Sequence, residues 1–255
     1  MQTELLAPAG NYAKFLTALY FGADAVYLGG KNFSLRTFAD NFTKEEMESA
    51  VQYAHKLNKK VYVTANIYAR NADFSMLSDY FQTLESIGVD GVIISDAGAV
   101  YTAKKVAPKL AIHLSTQANT TNKYAVKFWQ EQDVSRVILA RELSLAEIAE
   151  IKQFNPETEL ESFVHGAMCV SFSGRCLISN YLVNRDANRG ECAQPCRWNY
   201  RLVEEKRPGQ YFDITETDKG TYILNANDMC MAEYLDKMTA AGVDSIKLEG
   251  RAKSH

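Results

Sequence analysis

Gly22-Ala-Asp24-Ala-Val26-Tyr-Leu28 returns as Gly88-Val-Asp90-Gly-Val92-Ile-Ile94 and again as Gly242-Val-Asp244-Ser-Ile246-Lys-Leu248. Asp133-Val-Ser-Arg136-Val137-Ile-Leu139 is a weaker fourth copy. Each phrase reads as a helix ending, usually at a glycine, with an apolar strand starting at once. Working outward, short apolar or β-branched runs mark eight strands: Glu4–Pro8, Ala25–Gly29, Lys60–Asn66, Gly91–Asp96, Ala111–Gln117, Arg136–Arg141, Glu161–Gly166 and Ser245–Gly250. The four phrases fall on strands two, four, six and eight. Helix-like segments such as Tyr12–Phe21, Lys44–Leu57, Ser75–Ser86, Ser144–Gln153 and Ala232–Ala240 lie between them. Thr43 before Glu45 and Glu46, and Ser144 before Glu147, have the form of helix N-terminal caps. Alternating β and α elements imply a parallel sheet, and eight strands allow it to close: an α/β fold of the (β/α)8, TIM-like kind. An open doubly wound sheet is the alternative, but no Gly-x-Gly-x-x-Gly follows the first strand.

Composition agrees with one large domain over residues 1–255. The 255 residues are 47% hydrophobic and 23% charged, enough to bury a sizeable core without disulfides. A net charge of −3 argues against indiscriminate nucleic-acid binding while leaving room for a local basic groove. The start, Met1-Gln-Thr-Glu-Leu-Leu, lacks the features of a signal peptide, and no apolar run is long enough for a membrane span. The expectation is a soluble, cytoplasmic protein.

In a closed barrel the carboxyl ends of the strands face the active-site mouth. Those ends carry Asn66, Asp96, Gln117, Arg141, His165, Glu249 and Arg251. Each also has a bland reading: Asp96 as a cap of the next helix, Asn66 or Gln117 as partners of loop backbone. The long connection between strands seven and eight must carry its own organisation. It defines a cysteine-rich insertion over residues 167–227.

All five cysteines lie between Cys169 and Cys230. In a reducing compartment such crowding points to metal or redox chemistry. Cys169 and Cys176 are separated by six residues, Cys192 and Cys196 by three, with fifteen between the pairs. Four thiolates suit zinc or an iron–sulfur cluster, and the wide first gap leans toward the cluster. Small buried packing residues are the alternative. Cys230 stands apart at the start of a predicted helix, where packing is the leading reading; replacement of one ligand or a free thiol are the others. Arg185, Arg189, Arg197, Arg201, Lys206 and Arg207 lie near Trp198, Tyr200, Tyr211 and Phe212, a mixture that can hold bases and phosphates. Four nearby acids dilute that charge, so a solvated surface is the first reading.

The string Glu161-Ser-Phe-Val-His-Gly-Ala-Met-Cys169, continuing through Gly174-Arg-Cys176-Leu-Ile-Ser179, resembles the signature of the collagenase-like U32 peptidase family. So do Leu6-Ala-Pro-Ala-Gly10, Ser115-Thr-Gln-Ala-Asn119, Asn188-Arg-Gly-Glu-Cys192-Ala-Gln-Pro-Cys196-Arg197 and Ser245-Ile-Lys-Leu-Glu-Gly-Arg251. The resemblance spans nearly the whole chain. Besides peptidase activity, it implies a likeness to proteins that hydroxylate the wobble uridine of tRNA, or a cytidine of rRNA, without molecular oxygen. In that group the cysteines are implicated in an iron–sulfur cluster, and prephenate is the implied hydroxyl source. Carried across, Cys169, Cys176, Cys192 and Cys196 would hold a 4Fe–4S cluster, with zinc as the alternative. Relatives usually continue beyond the eighth strand, so the last barrel helix is expected to be absent or supplied by a partner subunit.

Three functions follow as expectations. An RNA hydroxylase would use Arg141 and Arg251 as carboxylate forks, His165 or Glu249 to move protons, and Asn66 and Gln117 to read the base edge or the donor. A peptidase would need a nucleophile with a base, for which Cys169 and His165 are the available pair. A non-catalytic, cluster-carrying subunit of a hydroxylase complex is the third.

Overall fold

The computed structural model describes residues 3–31, 33–34, 40–169, 171–198, 200–203, 205–213 and 228–251. Strands and helices alternate from the start: β1 (Glu4–Pro8), α1 (Tyr12–Tyr20), β2 (Ala25–Gly29), α2 (Lys44–Lys56), β3 (Lys60–Ala65) and α3 (Phe74–Ile87). There follow β4 (Gly91–Ile94), α4 (Ala97–Val106), β5 (Ile112–Leu114), α5 (Lys123–Glu131), β6 (Arg136–Ile138), α6 (Leu145–Phe154) and β7 (Glu159–Ala167). The insertion contributes α7 (Ile178–Val183), a hairpin of β8 (Arg201–Leu202) and β9 (Phe212–Asp213), and β10 (Asp228–Cys230). Helix α8 (Leu235–Ala240) and strand β11 (Ser245–Leu248) complete the described chain. Much of the predicted 167–227 insertion, including 214–227, lies outside the described residues.

Strands β1 to β7 pair in parallel with their sequence neighbours, and β11 pairs in parallel with both β7 and β1. The eight-stranded barrel therefore closes as predicted. Strand β10 is an addition: it runs antiparallel along the upper half of β7, beyond the reach of β6. Cys230 ends this strand and is exposed, so neither the predicted helix start nor the predicted packing holds.

The repeated phrase has a physical basis. Gly22, Gly88 and Gly242 close the preceding helices at φ of 95°, 77° and 88°, a region that side chains enter at a cost. Two residues on, the aspartate accepts the backbone N–H of the neighbouring strand: Leu5 N to Asp24 (3.0 Å), Val61 N to Asp90 (2.7 Å) and Leu160 N to Asp244 (2.8 Å). Lys59, His55 and Lys152 reach the same three carboxylates. In the weak copy Asp133 takes the glycine's place at φ 53°, and Ser135 replaces the aspartate, donating to Ile112 O at 3.0 Å. Thr43 and Ser144 cap α2 and α6, each in a capping box with the glutamate three residues on.

Two apolar layers result. Outward-facing strand residues such as Val26, Val63, Val92 and Leu114 pack under the helices, while Leu6, Tyr27, Tyr62, Ile93, Ile138 and Phe163 fill the barrel axis. Beneath them the amino end is plugged by charge. Arg136, 3% exposed, bonds Glu4 (2.6 Å) and Glu161 (3.2 Å), and Glu4 also receives Tyr62 and Ser245. Burial beside Arg136 and Lys247 drives the His113 pKa far down, which keeps that ring neutral. No helix among the described residues is long and apolar enough to cross a membrane.

Candidate functional site

A cavity of about 320 Å³ opens at the carboxyl ends of the strands, floored by the barrel axis and roofed by the insertion. Strand alternation places its polar lining. On β11, Ser245, Lys247 and Glu249 share the inward side, and at the ends of other strands Thr64, Asn66, Ser115, Gln117 and Arg141 reach the same space. Asn66, Gln117, Arg141, Glu249 and Arg251, all singled out from the sequence, line it together. Asp96 takes its bland role and caps α4, accepting from Ala99 N at 2.9 Å.

His165 does not line the cavity and is exposed. Glu161 pairs with Ser245 and Phe163 with Lys247, but His165 pairs with Leu248, because the β7–β11 register slips after Lys247. Such a bulge lets two successive residues face the same way. Val164 joins the outer core, and His165 turns outward with Leu248. A strict period of two would have aimed it inward with Glu161 and Phe163. Cys169 and His165 therefore do not share the cavity.

Cys169, Cys176, Cys192 and Cys196 all line the cavity, while Cys230 does not. All four are free thiols. Burial pushes the Cys196 thiol up, and Cys192, then Cys169 and Cys176, add to that push while Arg197 opposes it. The four thus lie within electrostatic reach of one another. Backbone N–H groups point at two of the sulfurs, Ile178 N at Cys176 (3.4 Å) and Gln194 N at Cys192 (3.3 Å). Among the described residues, no three His, Cys, Asp or Glu side chains converge closely enough to hold one metal ion. Thiols spread around a shared opening suit a multinuclear centre, with each thiolate on its own iron, better than a single tetrahedral zinc ion.

The thiols are held over the mouth by contacts far apart in sequence. Arg189 grips Asp73 with both terminal nitrogens (3.0 and 3.1 Å) and donates to Tyr68 O (2.8 Å). Tyr68 N returns a bond to Asn188 O, and Ala193 N donates to Ser179 Oγ at 3.0 Å. Gly174 at φ 76° lies so close to Gln117 that a Cβ there would stand 2.9 Å from its Cγ. The basic residues seen in the insertion are largely engaged in this architecture. Arg197 pairs with Asp228 at 2.7 Å, and Arg185 Nε donates to Glu191 O. Trp198 and Tyr200 stack with ring centres 6.5 Å apart.

Inside the cavity, Arg141 lies flat over Phe163 (4.0 Å), donates to Ala167 O (2.7 Å) and stands 3.9 Å from Glu249. Arg251, 3% exposed, donates to Thr64 Oγ1 at 2.6 Å. Sequence reasoning passed over Lys247, a buried lysine on the cavity floor. Its position two residues before Glu249 on one strand was the signal that could have found it.

Comparison with known proteins follows the geometry. The model of peptidase family U32 matches residues 10–255. The chain is 45% identical over 251 residues to tRNA hydroxylation protein P1 of Bacillus subtilis (strain 168), covering 98% of this chain and 59% of that protein. To tRNA hydroxylation protein P of Escherichia coli (strain K12) it is 38% identical over 290 residues, covering 98% and 64%. A collagenase of Porphyromonas gingivalis is 33% identical over 262 residues, with 98% and 61% covered. The chain thus spans about six-tenths of the length of the curated relatives it matches. Among solved structures, the U32 peptidase Mk0906 superposes with a TM-score of 0.62 at 14% identity, covering 97% of this chain and 92% of that one, a likeness of fold.

Proposed function

The chain belongs to peptidase family U32, and from that premise we propose that it is the barrel of a tRNA-hydroxylating enzyme. In this reading Cys169, Cys176, Cys192 and Cys196 hold an iron–sulfur cluster, of the 4Fe–4S kind, at the cavity mouth. The hydroxyl group comes from a small carboxylic acid such as prephenate rather than from molecular oxygen. The observation that carries the reading is the gathering of four free thiols on the wall of one cavity whose opposite wall is cationic. The names of the relatives at 38–45% identity point the same way.

The chain's own residues have definable tasks. A bound cluster would supply one-electron chemistry beside the cavity. Arg141 lies where it can orient a carboxylate, and Arg251, tied to Thr64, fixes the end of β11. Glu249, at the cavity wall and 3.9 Å from Arg141, is placed to hold or release a proton. Asn66 and Gln117 offer amide groups to a base edge. The exposed ring of Trp198 at the rim gives an unstacked base a surface.

Anaerobic purification followed by an absorption spectrum with iron and sulfide analysis tests the cluster. A broad visible band with near-equal iron and sulfide is expected, and a colourless, iron-free protein would sink it. Cys176→Ala is expected to abolish both the absorbance and the hydroxylated wobble nucleoside in tRNA from a complemented deletion strain. Full modification without that thiol would remove the mechanism. Cleavage of gelatin that survives iron chelation would favour a peptidase instead.

A further inference from the structure

Lys247 is the buried charge to which the reading above gives no task. It is 3% exposed and lies on the cavity floor. An ammonium carries three N–H donors. Among the described residues its one hydrogen-bond acceptor is Glu161 Oε1, at 2.7 Å, while the rings of Tyr27 and Phe163 lie 4.3 and 5.4 Å from the nitrogen. Glu161 is itself shared, since its other oxygen accepts from Arg136. Arg141 lies over the same Phe163 ring, and its Nε is buried without a partner.

Two cations therefore meet at one aromatic ring, in a space largely closed to water, with more donors than acceptors. Like charges in such a place raise each other's cost unless an anion joins them. The balance of charge agrees. Arg136 is matched by Glu4, and Arg141, Lys247 and Arg251 face Glu161 and Glu249, leaving one positive charge over. Arg251 is the cation least available to a ligand. It is seated against Gly29, where any side chain would collide with it, and is bonded to Thr64. Burial pushes the Lys247 pKa down and Glu161 holds it up, so an arriving anion would strengthen its charged form.

We propose that Lys247 and Arg141 form an anion-binding floor in this cavity, and that its ligand is a carboxylic acid with a compact apolar body. One excess charge matches one carboxylate, whereas a phosphate dianion would overshoot it. Tyr27, Ile93, Ile138 and Phe163 offer apolar surface to the rest of the ligand, and about 320 Å³ accommodates a single ring or short chain. The inference rests on the hydroxylase reading only in making this acid the hydroxyl donor.

Titration calorimetry of the whole chain, without RNA, tests it with three probes: benzoate, the uncharged benzamide and inorganic phosphate. The unmodified chain is expected to bind benzoate at least about tenfold more tightly than benzamide or phosphate, and Lys247→Met is expected to erase that preference. Circular dichroism melting checks that the variant folds. Should it not fold, Arg141→Met carries the same test at the other cation. Equal binding of benzoate and benzamide, tighter binding of phosphate, no benzoate binding at millimolar concentration, or an unchanged preference in the folded variants would each overturn the proposal. The hydroxylase reading is judged separately, by the nucleoside assay. A preference for benzoate with no modified nucleoside leaves the anion floor standing and removes its role as a donor site.

Discussion

The two ends of this barrel are built from the same strands yet are satisfied to different degrees. At the amino end Arg136 is surrounded by Glu4, Glu159 and Glu161, and the repeated aspartates each take a strand N–H and a basic side chain. At the carboxyl end Arg141 has a buried nitrogen without a partner, Lys247 has donors to spare, and four thiols stand free around one opening. Fully partnered charge fixes geometry, whereas incompletely partnered charge is a standing preference for something not yet bound. Stability thus concentrates at one end and chemistry at the other, as the fold generally arranges. Changes at the amino end should move unfolding free energy, and changes at the carboxyl end should move the site.

The largest effect is expected from Glu161→Ala, which strips a shared partner from two buried cations. A loss of about 3–5 kcal/mol in urea-induced unfolding is predicted. A loss below about 1 kcal/mol would mean that water reaches the plug and would erase the contrast between the ends. Next comes Asp244→Ala, which removes a charged acceptor from Leu160 N and from Lys152. It should cost about 1.5–3 kcal/mol, while alkylation rates of the four cavity thiols stay unchanged.

Arg189→Ala probes the other end. It should change global stability by no more than about 1–2 kcal/mol, yet markedly speed proteolysis between Cys169 and Cys196 and alkylation of the cavity thiols. The clamp also has a pH signature. The Arg189 guanidinium and the Arg70 backbone N–H hold the Asp73 carboxyl below its ordinary range. A depressed carboxyl contributes stability above its unfolded-state value and loses it as pH falls through the lower, folded one. Thiol protection should therefore fail in acid below pH ~4, and in Arg189→Ala that acid step should be missing. An acid step of equal size in the variant would assign it to another carboxylate.

How far the sequence could be read follows the same division. The barrel was legible because its instructions are local: a glycine at positive φ, an aspartate two residues later, then an apolar strand. The four cysteines and five strand-end residues were legible because a closed barrel sends them to one mouth. His165 was misplaced because a bulge depends on β7's pairing with β11, which no periodicity within β7 reveals. Lys247 was missed because an apolar strand hides a lysine whose value lies in Glu161, Tyr27 and Phe163, each on a different strand. Cys230 was read as packed because the antiparallel β10, which begins after a segment outside the described residues, has no local signal of its own.

The weak copy of the repeat offers the finest test of the local code. Asp133 occupies the left-handed position that glycine holds in the other three copies, and its carboxylate meets Lys104 at 2.6 Å on a side chain that is 80% exposed. An exposed pair of this kind contributes about 0–1 kcal/mol, while relief of the positive φ by glycine is worth about 1 kcal/mol. Asp133→Gly should therefore leave stability unchanged or raise it by less than about 1 kcal/mol, although glycine is destabilising at most positions. A loss above about 1 kcal/mol would show that the fourth copy relies on its ion pair. The resemblance to the other three turns would then be one of sequence without shared energetics.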